Sequence, residues 1–287
     1  MAAAHSHEGS TGVARRPVGL PFRQVAPAWA ALVLLAVLAW LVTIDQARGM
    51  GVGPGTMGMS LPLFLAMWVV MMAAMMFPSV APVAILWSRS IVARSSGATR
   101  TWRIAQFVAG YLVAWSAFGL VAFIALLGAE QLVESSPEAA RWLGVGIFAA
   151  AGIYQLTPAK DACLRHCRSP MMSLLHYGNF KGAARDFRVG VHHGLYCVGC
   201  CWGLMVVLVA VGVMNVAAMA VLAAVILVEK LWSRGEQLSK AVGVAFLAFA
   251  VLVAFEPSLL PGLRAAEVDT MGGMGSMGGT GMGSGGP

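Results

Sequence analysis

Long apolar runs broken by short polar stretches organise this chain, and no sustained two-residue alternation competes with them. The runs cover residues 26–44, 61–87, 104–127, 142–156, 191–213, 216–231 and 241–255. A bilayer hydrocarbon core about 30 Å thick takes about 20 apolar residues in helical form, and a helix satisfies its own backbone in lipid. Each run therefore predicts a membrane-spanning helix, the fourth being somewhat short. The first run is too long for the apolar part of a signal peptide and has no convincing cleavage site, so it reads as a retained span.

Between Pro170 and Gly190 the pattern changes, with His176, Lys181, Arg185, Asp186 and Arg188 interleaved with Met171, Leu174, Phe180 and Phe187. This predicts an interfacial amphipathic segment. The expected fold class is all-α: a polytopic bundle of about seven transmembrane helices over residues 26–256. A polar N-terminus, 1–25, and a Met/Gly-rich tail, 257–287, both read as disordered.

Composition changes the picture in two ways. Of 287 residues, 59% are hydrophobic and 11% charged, and the mean hydropathy is +0.79, far from an ordinary soluble domain. The formal net charge of +7 marks cytoplasmic loops in a membrane protein and argues for no nucleic-acid partner. The positive-inside rule assigns Arg15, Arg16 and Arg23 and the loops 89–103, 160–188 and 234–240 to the cytoplasm. Seven spans satisfy all of these in the inner (cytoplasmic) membrane of the cell, with the N-terminus cytoplasmic and the C-terminus extracytoplasmic.

Candidate chemistry concentrates in the fifth run, which begins Val191-His192-His193-Gly194-Leu195-Tyr196-Cys197-Val198-Gly199-Cys200-Cys201-Trp202-Gly203-Leu204-Met205. On a helix, His193, Cys197, Cys201 and Met205 form one stripe, with Cys200 and His192 close to it. Imidazole, thiol and thioether together suit a soft ion such as Cu(I), while zinc accepts the His and Cys groups alone. Each residue taken singly is an ordinary packer, and Gly194, Gly199 and Gly203 could serve only to let another helix approach. The whole cluster is a poor choice for mere packing.

Two further groups join it. In the second run Met67, Met71 and Met75 are spaced four apart, with Met72 and Met76 displaced by about 100°, a thioether ladder ending at Phe77-Pro78-Ser79. Pro78 and Pro82 should kink the helix there. Between Pro158 and Pro170 lies a charged turn holding Cys163, His166 and Cys167. The Gly-rich loop with Met50, Met57 and Met59 and the Met-rich tail face the oxidising side in this topology, where thioethers still bind Cu(I). Outer methionines capturing an ion, the ladder passing it inward and the thiols holding it form one consistent scheme.

These motifs resemble a bacterial family. The run from Met67-Trp68 to Ser79, the segment from Tyr154-Gln155-Leu156-Thr157-Pro158 through Cys163 to Cys167-Arg168-Ser169-Pro170, and Gly194 to Trp202 with Leu204-Met205 and Met214-Asn215 are similar to the predicted metal-binding integral membrane proteins of domain of unknown function family 2182. The resemblance covers residues 61–231 and implies metal binding by these Cys, His and Met groups.

The leading expectation is a membrane protein that binds copper, with zinc as the alternative ion, for transfer, delivery or homeostasis, together with a metallochaperone or metalloenzyme partner. A membrane thiol oxidoreductase using Cys197/Cys200 with Cys163/Cys167 is a second class, and a structural or assembly subunit a third. An ATPase is excluded by the lack of a phosphate-binding Gly-x-x-x-x-Gly-Lys-Ser/Thr run and of any Asp-Lys-Thr-Gly.

Overall fold

The computed structural model describes residues 26–49, 56, 58–92, 95–169, 175–256 and 259–260. Residues 1–25, Met50, Met57 and almost all of the tail lie outside the described residues, as do the expectations attached to them. The described chain is helical: α1 (Ala26–Gly49), α2 (Leu61–Val92), α3 (Gly97–Ser135), α4 (Pro137–Gln155), α5 (Pro158–Arg168), α6 (Arg185–Val211), α7 (Val216–Leu231) and α8 (Gly235–Phe255), with a helical turn at residues 175–177. All seven apolar runs are helices. Among the described residues five helices are long and apolar enough to cross a membrane, and α4 with α5, bent by 63°, would make a sixth. With 16 residues, α7 is about 24 Å long, short of a full hydrocarbon core.

The helix ends follow local chemistry. Thr157 caps α5, its hydroxyl accepting from the Lys160 amide at 3.3 Å, and Pro158 at the first position needs no amide partner. The polar break at Asn215 is the cap of α7, its side chain accepting from the Ala218 amide at 3.1 Å. The interfacial segment is shorter than its pattern predicts. Arg185 already opens α6, and Asp186, Val189 and Gly190 are buried, because Asp186 meets Arg103 at 2.7 Å and so enters the bundle neutralised.

Side-chain bridges sort the loops onto two ends of the bundle. At one end the start of α3 meets the start of α6 through Arg103 and Asp186, and Arg168 at the end of α5 donates to the Trp232 and Ser233 carbonyls after α7. At the other, Thr56 before α2 donates to Glu130 at the end of α3, and Arg141 in α4 donates to the Ala254 carbonyl in α8. The arginine-rich loops thus share one end and the acidic ones the other.

Packing between helices relies on glycine. On α3 and α6, a Cβ at Gly110 would lie 2.1 Å from the Phe187 carbonyl oxygen, and one at Gly190 2.1 Å from that of Phe107. Backbones this close permit no side chain, and in a membrane such contact replaces the hydrophobic drive that helices lack there. Gly152 of α4 and Gly243 of α8 meet in the same way. The outer faces are apolar, with Leu34, Leu41, Val121, Ile124, Val244 and Phe255 exposed, far more than a water-facing surface carries. Inside, Phe64, Trp115, Met71, Met72, Met75, Met76, Cys197, Cys200, Cys201 and Leu204 belong to one buried cluster.

Candidate metal centre

Cys197, Cys200 and Cys201 occupy positions i, i+3 and i+4 of α6 and so point to one face. Their sulfurs lie within 4.8 Å of one another, and all three residues are buried. Cys200 and Cys201 each donate to the Cys197 carbonyl, at 3.1 and 2.6 Å. A fourth thiol arrives from α5, where the Cys167 sulfur is 3.7 Å from that of Cys200. Two thiolates on one tetrahedral ion stand roughly 4 Å apart, so the spacing of the three α6 thiols, and of Cys167 from Cys200, suits a soft ion. Cys163 is half-buried and takes a neighbouring place, since a Cβ at Gly199 would lie 3.0 Å from its sulfur.

A cation enters the cluster from α7. The Lys230 ammonium donates to Cys197 Sγ at 3.0 Å and to Ser79 Oγ at 3.3 Å, and Tyr111 Oη contacts the same sulfur at 3.1 Å. Among the described residues Lys230 has no carboxylate within salt-bridge distance, although it is buried. A buried ammonium is costly unless a negative group compensates it, and thiolates are the groups at hand. Through Ser79, whose hydroxyl donates to the Met76 carbonyl at 2.9 Å, the same lysine joins the end of the methionine ladder to the thiols.

Below the thiols a second buried pair braces the helices. Lys160 of α5 meets Glu229 of α7 at 2.8 Å, with side chains 0% and 2% exposed, and also donates to the Cys200 carbonyl. Gln155 donates to the other Glu229 oxygen at 3.0 Å, and Ser239 from α8 bonds Gln155 at 3.3 Å. Tyr154 donates to the Gly199 carbonyl. The backbone that carries the thiols is therefore held by side chains of α4 and α5. The sequence pattern assigns Lys160 to a polar loop and leaves Glu229 and Lys230 at the very end of the sixth apolar run, next to the loop that follows. All three are instead buried, because each finds its partner across a helix interface.

The methionines Met67, Met71, Met72, Met75, Met76 and Met205 are all buried in the cluster that contains the cysteines. The histidines separate from the sulfurs. His193 is buried one helical turn before Cys197, but its Nδ1 is bonded to Tyr177 Oη at 3.1 Å, and the same oxygen meets His166 Nε2 at 3.1 Å. His166 stacks on Tyr196 with centroids 3.8 Å apart, and His192 packs on His176 at 4.9 Å. The single stripe of His193, Cys197, Cys201 and Met205 thus divides at its first member, since Tyr177 engages the imidazole.

Sequence reasoning missed Lys230, Tyr111, Lys160 and Glu229 as neighbours of the thiols. One signal was present: Glu229 and Lys230 precede Leu231 and Trp232, so both charges lie within the apolar run rather than beyond it.

No match was found among curated proteins or among solved structures. A family match does exist, and it carries the metal-binding expectation to copper under a different family description from the one that the motifs resemble. Because the model of the copper chaperone family PpoB2 matches residues 65–253, two thirds of the chain and all of the buried thiols, the protein belongs to that family.

Proposed function

We propose that the protein is a membrane-embedded copper carrier that holds Cu(I) at the buried cluster of Cys197, Cys200, Cys201 and Cys167, two of these four as thiolates and the others as thiols, and hands it to a metalloenzyme or metallochaperone. The observation that carries this reading is the Lys230 ammonium 3.0 Å from Cys197 Sγ, beside three thiols whose sulfurs lie within 4.8 Å of one another. One Cu(I), two thiolates and one ammonium sum to zero charge, which lets the site lie in a low-dielectric interior without a counter-ion from outside. Met76, Met75, Met72, Met71 and Met67 supply neutral soft ligands along α2, a route on which thioether coordination replaces the ion's hydration until thiolates balance its charge. Five helices of membrane-crossing length support placement in the inner membrane, and the arginine-rich end of the bundle supports a cytoplasmic N-terminus.

Anaerobic Cu(I) titration of the full chain, purified in detergent under reducing conditions, tests the proposal against the Cys197→Ser/Cys200→Ser/Cys201→Ser variant. Tight Cu(I) binding should be lost in the variant. Equal Cu(I) binding by both proteins would refute the thiol centre, and preferential retention of zinc by the native chain would move the assignment to zinc.

The 3.7 Å separation of Cys167 and Cys200 also favours a second reading, thiol–disulfide exchange between α5 and α6. Side-chain rotation brings the sulfurs within reach of a disulfide. If the protein is an oxidoreductase, it should oxidise a dithiol peptide catalytically with a quinone as electron acceptor, and metal-free protein should be the active form.

A further inference from the structure

We propose that His166, His176 and His192 form a second metal site, made of imidazoles and separate from the thiols, for a borderline divalent ion such as Zn(II) or Cu(II). Three elements converge there: His166 from the end of α5, His176 from the turn at residues 175–177, and His192 from the second turn of α6. The ring centroids are 4.9 Å apart for His176 and His192, 5.9 Å for His166 and His192, and 6.4 Å for His166 and His176. A metal–nitrogen bond of 2.0–2.1 Å places a ring centroid roughly 3.2 Å from the ion, so ligands on one tetrahedral ion have centroids roughly 5 Å apart. Two of the three separations exceed this by roughly 1 Å, so binding requires the rings to turn toward the ion.

A second observation points to a ligand. His192 Nδ1 is enclosed and has no hydrogen-bond partner among the described residues. A buried ring nitrogen without a partner is costly, and an ion accepting its lone pair removes that cost. The rings are also held from behind, as metal-bound imidazoles are. Tyr177 Oη meets His166 Nε2 at 3.1 Å, and Tyr196 lies flat against His166. His176 is exposed, so the site opens at the arginine-rich end of the bundle, and roughly 7.5 Å of helix rise separates His192 from Cys197. Imidazole nitrogens select borderline ions where thiolates and thioethers select Cu(I), so the two centres take different ions or different oxidation states. The ligand sets share no residue, and failure of the copper reading would leave this one standing.

The test uses Zn(II) on the full-length chain carrying Cys197→Ser, Cys200→Ser and Cys201→Ser, with His5→Gln and His7→Gln so that the N-terminal histidines contribute nothing. One equivalent of zinc should bind, and X-ray absorption should show a nitrogen and oxygen shell at 2.0–2.1 Å rather than sulfur at 2.3 Å. Adding His176→Gln and His192→Gln should weaken zinc binding at least tenfold. In the native-thiol background the same two histidine substitutions should leave Cu(I) stoichiometry unchanged, which also shows that the variant folds. A sulfur-dominated shell, no zinc bound, or equal affinity with and without the two histidines would each overturn the proposal. The absorption result stands even if the histidine variant misfolds.

Discussion

The ammonium of Lys230 and the sulfur of Cys197 are 3.0 Å apart, on helices whose sequence positions differ by thirty-three residues and in surroundings that exclude water. An uncompensated charge there would cost several kcal/mol, so the pair defines the electrostatics of the whole centre.

Replacing Lys230 by Met should separate two effects. The metal-free protein loses a buried charge and should be as stable as before or more so. The Cu(I)–thiolate centre loses its balancing cation, and affinity should fall by about 2 kcal/mol or more, roughly thirtyfold. Competition titration with a Cu(I) chelator measures this, and unchanged affinity would remove Lys230 from the metal site.

The Lys160–Glu229 pair should behave as a brace rather than as a source of net stability. Glu229→Leu strands a fully buried ammonium and should destabilise the protein by about 3–5 kcal/mol, whereas Lys160→Met/Glu229→Leu should recover most of that loss. Unfolding of the four proteins of this cycle in detergent gives the coupling directly. Additive effects would mean that the ion pair does not couple α5 to α7.

The methionine ladder separates copper from zinc. Leu preserves the volume and apolarity of Met, so Met67→Leu/Met71→Leu/Met75→Leu should cost less than about 1.5 kcal/mol per site. Cu(I) uptake should fall while zinc content stays the same, because thioethers add little to zinc. Full Cu(I) uptake by the triple variant would make these buried side chains core packing alone.

Gly190→Ala should be far more damaging than Gly128→Ala. The first places a Cβ 2.1 Å from the Phe107 carbonyl oxygen, whereas the second meets nothing within 4 Å. Pushing α3 from α6 should cost about 1–3 kcal/mol or more and displace the thiol-bearing turn as well. Gly128→Ala should be neutral or stabilising by up to about 1 kcal/mol. Comparable yields and melting of the two variants would contradict the close crossing.

Where helices form, and which face of α6 carries sulfur, can be read from the amino-acid pattern alone. Both are local properties: apolar run length decides a buried helix, and spacings of three and four decide a face. Cys197, Cys200 and Cys201 were therefore legible as one group, and Asn215 as the break that became a cap. The methionine ladder was legible on the same ground, as a stripe on α2. Packing between helices, by contrast, brings Cys167 to Cys200, sets Lys230 rather than His193 against Cys197, and pairs Lys160 with Glu229 inside the bundle. A charged residue near the end of an apolar run has the same local pattern whether it ends in solvent or in a core. Its burial depends on a partner across an interface, as Glu229 for Lys160 and Cys197 for Lys230, a relation between distant positions that no periodicity contains.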